Sequence, residues 1–236
     1  MEAAAASASS RKRAATASAG KQARYRSGER LWLNSAPMIQ SPAFIWLHLP
    51  KTGGTSMNHL FRSLALQELQ VDSDDTPQKH DSIALRESRS NWRAGDRPRF
   101  ITARRLSDWL VSDWQHKRRH MNLSDLPFEP VRSGLFYSLR LGGTWVAADW
   151  WLQYFEVNDA MRSLRLEHLA ADLNAQLLPL LPAGTPPLPL PPHENTDPNR
   201  HERQACFSAA DLQRMAAVNP RWHAWEQRVY SDPVRS

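Results

Sequence analysis

The apolar and polar positions along this chain separate strands from helices by their period. Phe44-Ile45-Trp46-Leu47-His48-Leu49 is a short, nearly continuous apolar run, the pattern of a strand buried on both faces. Pro50-Lys51-Thr52-Gly53-Gly54-Thr55-Ser56 breaks that run. After the break, Met57, Leu60, Phe61 and Leu64 recur at i, i+3, i+4 and i+7, which makes one apolar stripe on a helix. The unit reads as strand, glycine-containing loop, helix. Residues 72–99 are polar and loop-like, with short structured pieces. Arg99-Phe100-Ile101-Thr102-Ala103 reads as a second strand, and Ser107 as the cap of a helix through Trp109, Leu110 and Trp114 to about His120. Thr144 to Glu156, carrying Trp145, Trp150, Trp151, Tyr154 and Phe155, reads as an aromatic-rich helix whose rings serve mainly as core. Ser163-Leu164-Arg165-Leu166 reads as a further strand, followed by a helix from about His168 to Leu178. Ser208-Ala209-Ala210-Asp211 has the form of a helix-start box, with Leu212, Met215 and Ala216 on one face behind it. A last helix carries Trp222, Trp225 and Val229. Strands alternating with helices predict an α/β fold with a parallel central sheet.

Composition divides the chain further. The first 40 residues are Ala/Ser-rich with scattered arginines, hold no period and read as a disordered basic tail, leaving 41–236 as one domain. Residues 1–36 contain seven basic and two acidic groups, which accounts for +5 of the +6 net charge. The basic balance therefore describes the tail, and no nucleic-acid partner is expected from it. Residues 178–192 form a proline-rich excursion. With seven prolines between Leu173 and Pro192, the longest uncharged stretch is not a membrane span. The single cysteine, Cys206, excludes an internal disulfide framework and a multi-cysteine zinc site, and no activating pattern surrounds it. These features favour a cytoplasmic protein, with a plastid transit segment or a Golgi-lumen location as alternatives.

The loop at 50–56 carries the strongest chemical signal. Glycines let backbone N–H groups approach a ligand, the first N–H groups of a helix lack internal partners, and the helix dipole is positive there. Lys51 adds a full charge, and Thr52, Thr55 and Ser56 add hydroxyls. Together they make a cradle for a phosphate-like anion. The lysine precedes the glycines, so the loop is not a Walker loop, and no dinucleotide fingerprint is present.

Leu47-His48-Leu49-Pro50-Lys51-Thr52-Gly53-Gly54-Thr55-Ser56 resembles the 5′-phosphosulfate loop of sulfotransferases, closest to the carbohydrate sulfotransferases. These enzymes use 3′-phosphoadenosine-5′-phosphosulfate (PAPS) and release 3′,5′-phosphoadenosine (PAP). A second motif resembles the same family, in which a strand ends in Arg and a helical Ser follows eight positions later. Here those residues are Arg104 and Ser112. The family's Asp/Asn-Pro after the arginine is replaced by Arg105-Leu106, which makes Arg105 a competitor for the role. The resemblance implies a three-layer α/β/α fold, similar to the P-loop nucleotide kinases. It also implies a 5′-phosphosulfate held by Lys51, Thr52, Gly53, Gly54, Thr55 and Ser56, a 3′-phosphate held by Arg104 and Ser112, and no metal. It further implies a hydroxyl acceptor, with a saccharide favoured.

Sulfuryl transfer needs a group to take the acceptor's proton. Lys79-His80-Asp81-Ser82 lies where family members often carry Lys-His-Ala-Thr, so His80 is the expected base beside Lys51, with His48 and Asp81 as rivals. His59 reads as a surface residue of the first helix. His116 and His120 flank Lys117-Arg118-Arg119, a basic stretch that would repel a metal ion and reads as a solvated face or a contact for an acidic saccharide. Two other classes compete with the enzyme reading. An ATP-dependent phosphotransferase on the same scaffold would need Mg²⁺ ligands and a Walker lysine. A decayed, non-catalytic binder of sulfated or phosphorylated ligands would keep the cradle alone.

Overall fold

The computed structural model describes residues 39–64, 66–191 and 207–231. The tail before residue 39, the end of the proline-rich excursion at Pro192, and Cys206 lie outside the described residues. The first strand, β1, is Ile39–Gln40, followed by β2 at Ile45–Leu47 and helix α1 at Gly54–Ser63. A single 3₁₀ turn at Pro77–His80 leads to α2 at Ile83–Arg89, then to β3 at Arg99–Ala103 and α3 at Leu106–His120. The next elements are α4 at Glu129–Arg132, β4 at Leu135–Ser138, β5 at Thr144–Ala147, α5 at Asp149–Tyr154 and β6 at Arg162–Arg165. Helices α6 at Leu169–Gln176, α7 at Ala209–Val218 and α8 at Pro220–Ser231 complete the described chain.

The central sheet has the order β1-β2-β3-β6. Strands β2, β3 and β6 are parallel, with Leu47 opposite Ile101 and Ile101 opposite Ser163, while β1 runs antiparallel at the edge. Alternation along the strands sends side chains to two separate cores. Phe44, Trp46, Phe100 and Leu164 pack on one face with Met57, Leu60 and Phe61 of α1 and with Leu169 and Leu173 of α6. Ile45, Leu47, Ile101 and Ala103 pack on the other face with Trp109 and Leu110 of α3 and with Trp222 and Trp225 of α8. Helices thus cover both faces, which is why the parallel strands read as continuous apolar runs. Among the described residues no helix is long and apolar enough to cross a membrane.

Three expectations are corrected, and one strand was not expected at all. Ile39 and Gln40 belong to the sheet, buried and paired with β2, so the fold starts inside the stretch read as tail. The aromatic segment at 144–156 is not one helix, because its first four residues form β5, antiparallel to β4. The cause is local: Gly142 and Gly143 both take positive φ and Gly143 N–H returns to Ser138 O at 2.9 Å, closing a hairpin before the helix can begin. Strand β4 itself was not anticipated. Ser107 does not cap α3; the cap position is Arg105, and Leu106 N–H donates instead to Glu226 Oε2 of α8 at 2.8 Å. The capping box at Ser208 and Asp211, by contrast, forms as expected.

One polar hub ties the hairpin and the C-terminal helices to the core. Asn219 is fully buried, and its amide donates to Gly134 O and Met215 O while accepting from Asp149 N–H. Asp149 in turn accepts from the N–H groups of Arg221 and Trp222, capping α8. Replacing Asn219 by alanine strands these buried groups, so Asn219→Ala should lower stability by about 2–4 kcal/mol. Urea denaturation reads this directly, and a loss below about 1 kcal/mol would show that the hub carries little.

Candidate functional site

Strands β2 and β3 are adjacent and parallel, so the chain leaves both of them at the same edge of the sheet. There residues 48–53 lie beside Arg104 and Arg105. Ligands of open α/β sheets bind at this carboxyl edge.

The loop after β2 is held by its carbonyls. His48 O accepts from His80 Nδ1 at 2.8 Å, and Leu49 O accepts from the Thr52 hydroxyl at 2.8 Å. Pro50 O accepts from the indole N–H of the fully buried Trp109 at 2.7 Å. Lys51 O accepts from Arg104 Nη1 at 2.9 Å. Four successive carbonyls are therefore each engaged by a donor from a different residue. The first α-helical bond beyond the loop runs from Met57 N–H to Gly53 O at 3.0 Å. The N–H groups of Gly54, Thr55 and Ser56 precede it, at the positive end of α1.

The backbone needed for this arrangement is unusual. Lys51 has φ +64 and Gly53 has φ +82. The left-handed region suits glycine, but for Lys51 it costs about 1–2 kcal/mol, a strain that collects at functional sites. Gly54 serves by its lack of volume: a Cβ there would lie 1.5 Å from His48 Nε2. The buried His48 ring fills that space and meets His80 edge-on, with ring centroids 4.7 Å apart. Thr52 is buried and its hydroxyl proton goes to Leu49 O, so Thr52 closes the loop rather than offering that proton to a ligand.

The half-buried Lys51 ammonium sits among other charges. Burial, with Arg104, Lys117 and Lys79 nearby and Asp113 opposing, pushes its pKa down to about 8. Asp113 and Lys117 form a buried ion pair on α3, in which burial pushes the carboxyl up and the ammonium down while each partner pulls the other back. Burial, with the Lys51 charge adding to it, lowers His116 to about 4. Cations thus predominate around the loop, which suits a multiply charged anion.

His80 ends the 3₁₀ turn. Its Nδ1 must carry the proton, because it donates to a carbonyl, and Nε2 is therefore left with its lone pair. Burial is the main cause that pushes its pKa down to about 3, with the Lys79, Arg140 and Lys51 charges acting in the same direction against the His48 carbonyl bond. The ring is therefore neutral at physiological pH. Asp81 is a different kind of group: Arg140 binds one carboxylate oxygen at 2.7 Å and Arg89 the other at 3.1 Å.

Of the sequence-predicted residues, Lys51, Thr52, Gly53, Gly54, Thr55 and Ser56 form one turn, and His80 and Arg104 reach it through His48 O and Lys51 O. Ser112 lies half-buried on α3, one turn beyond Trp109 and one turn before His116. Arg105 points elsewhere: it pairs with Glu226 at 3.5 Å and lies over the Tyr230 ring at 4.4 Å. His59 is exposed on α1. The rings of His116 and His120 approach to 5.0 Å, and among the described residues no third metal-ligating side chain joins them. Sequence reading missed Trp109 as a polar contact, since an indole on an apolar stripe reads as core. It also missed Arg140, sixty residues from its target, for which no local signal exists.

No protein-family model matches the chain, and neither a curated protein nor a solved structure is similar to it.

The His48–Gly54 contact gives a direct check on the loop. Gly54→Ala should cost about 2–4 kcal/mol, because the new methyl must displace a buried ring. With His48→Ala present the same change should cost less than about 1 kcal/mol, because the space is then open and alanine is the better helix former. Equal costs in the two backgrounds, measured by denaturant titration, would reject the contact.

Proposed function

We propose that this chain is a sulfotransferase that moves the sulfuryl group of PAPS to an acceptor hydroxyl and releases PAP. The observation that carries the reading is the bond from Arg104 to Lys51 O. It brings two sequence motifs, 53 positions apart, to the same edge of the sheet, which supports one nucleotide being held by both. The fold would then be a P-loop-like nucleotide scaffold, and the favoured acceptor a saccharide hydroxyl.

The residues present fit the donor. The N–H groups of Gly54, Thr55 and Ser56 and the Lys51 ammonium would hold the 5′-phosphosulfate, and the guanidinium of Arg104 with the Ser112 hydroxyl the 3′-phosphate. Arg104 is favoured over Arg105 for this role because its guanidinium lies against the 50–56 loop, whereas Arg105 contacts Glu226 and Tyr230. When bound, PAPS supplies an electrophilic sulfur with a phosphate leaving group. The acceptor oxygen forms the new S–O bond as the bond between sulfur and the phosphate oxygen breaks. His80 Nε2 takes the acceptor's proton. Lys51 and the N-terminus of α1 stabilise the charge that collects on the departing phosphate oxygen. His80 is preferred to Asp81, whose two oxygens are both held by arginines. It is preferred to His48, whose ring is enclosed against Gly54.

Calorimetry with PAP in metal-free buffer tests the scaffold, and transfer from labelled PAPS then separates an enzyme from a binder. Micromolar PAP affinity without Mg²⁺ is expected. A strict requirement for Mg²⁺ and ATP would favour the phosphotransferase, and PAP binding without transfer to any acceptor in a cell extract would favour the binder. The lysine adds a pH signature. The free site has Lys51 near 8, and a bound anion raises it, so the complex holds more protons than the free site above that pH. PAP affinity should therefore fall as pH rises through 8, with proton uptake on binding. A flat profile from pH 7 to 9 would remove Lys51 from the phosphate. His80→Ala should lower turnover at least ~100-fold, the low end for a lost general base, with PAP affinity almost unchanged. Near-normal turnover would reject His80 as the base.

A further inference from the structure

His80 stands at the end of a stretch that regular structure does not hold. Between α1 and α2 the regular structure of the described residues is an isolated bridge, Gln70 to Gln40, and the 3₁₀ turn at Pro77–His80. The His80 ring is oriented by one bond, to His48 O. Its backbone is gripped from a distant element. Arg140, at the tip of the β4–β5 hairpin, donates through Nη2 to Asp81 Oδ1 at 2.7 Å and to the Tyr154 hydroxyl at 2.7 Å, and through Nη1 to His80 O at 3.4 Å. The guanidinium also lies over the Tyr154 ring at 4.8 Å, and that ring stacks on Trp150 at 4.9 Å. Tyr154 OH accepts from Ser82 N–H at 3.2 Å. The consecutive residues His80, Asp81 and Ser82 are thus all fastened to the hairpin arginine and its tyrosine neighbour.

We infer that Arg140 is a positioning residue, which sets the base by fastening the backbone of His80 and Asp81 to the β4–β5 hairpin. This rests on the sulfotransferase reading for its catalytic meaning, while the positioning itself is a statement about geometry. The planar fork of arginine matters, because three acceptors are met by one side chain, which a lysine ammonium on a flexible stem cannot reproduce in that fixed geometry. A side chain that touches only backbone, Asp81 and Tyr154 does not hold the donor, so its loss should appear in turnover and not in nucleotide affinity.

The test uses the full chain with Arg140→Gln and Arg140→Lys. Turnover with labelled PAPS should fall about 10- to 100-fold in Arg140→Gln, the size expected when a reacting group is misplaced by about an ångström. PAP affinity and the PAPS KM should stay unchanged. Arg140→Lys should recover part of the rate through Asp81. A second readout does not depend on activity: ¹⁵N NMR of the His80 ring should report a fixed Nδ1–H tautomer in the wild type and tautomer exchange in Arg140→Gln. The acid limb of the turnover profile gives a third readout. Lys79, Lys51, Arg140, His48 and the Asp81 carboxylate surround His80, so removing the Arg140 cation should move that limb upward in pH. If Arg140→Gln keeps the wild-type His80 spectrum, the inference is overturned, whether or not the chain transfers sulfate. If the wild type binds no PAP, the sulfotransferase reading falls instead, and the tautomer measurement alone decides the role of Arg140.

Discussion

Everything at the carboxyl edge of the sheet depends on the capture of four successive carbonyls, those of His48, Leu49, Pro50 and Lys51. A peptide group that turns its oxygen toward the protein turns its N–H away, so fixing the oxygens fixes the direction of the donors. The donors come from the 3₁₀ turn, from the loop itself, from the buried indole of α3 and from the arginine after β3. A loop of this kind has no sheet or helix bonds of its own. Without these four bonds the carbonyls would lose their protein partners, at a cost of up to about 1–3 kcal/mol for one that is buried, such as Leu49 O. The same bonds offset the left-handed backbone at Lys51, which no local preference would choose.

Charge follows from this geometry. With its carbonyl tied to Arg104, the Lys51 residue is drawn toward a second cation and toward Lys117, so its ammonium is crowded and half-desolvated. The one compensating acid, Asp113, is itself paired with Lys117. The described residues around the loop therefore carry more positive than negative charge. The pairs that surround Asp81 and Asp72 work in the opposite sense: each carboxylate is matched by an arginine, at 2.7 Å for both Arg140–Asp81 and Arg86–Asp72. Those are structural pairs, and they fasten the irregular segment on which His80 stands.

The two histidines show how neighbours divide chemically identical residues. His48 fills the volume over Gly54 and is enclosed. His80 gives its Nδ1 proton to the chain and keeps Nε2 for another partner. Sequence position alone ranked them as rivals, because each sits next to a motif. The difference between them arises from which ring atom meets which neighbour across the strand-to-turn contact.

Much of this was legible in the chain. The doubly buried β2, the β3 strand, the stripe of α1 and the box at Ser208 follow from apolar period and capping chemistry, which are local. The turn at 50–56 was legible for the same reason, since a proline, a lysine and two glycines at a strand-to-helix break are adjacent in sequence. What the sequence could not determine was non-local. The hairpin of β4 and β5 overrode the helical look of the tryptophans because two glycines turned the chain back. Trp109 became a polar anchor only when α3 was laid against the loop. Arg105 was drawn to Glu226 and Tyr230, more than a hundred residues away, while Arg104 was drawn to the loop. Local chemistry wrote the turn into the sequence, and only the packing of distant elements decided which charged side chains would stand around it.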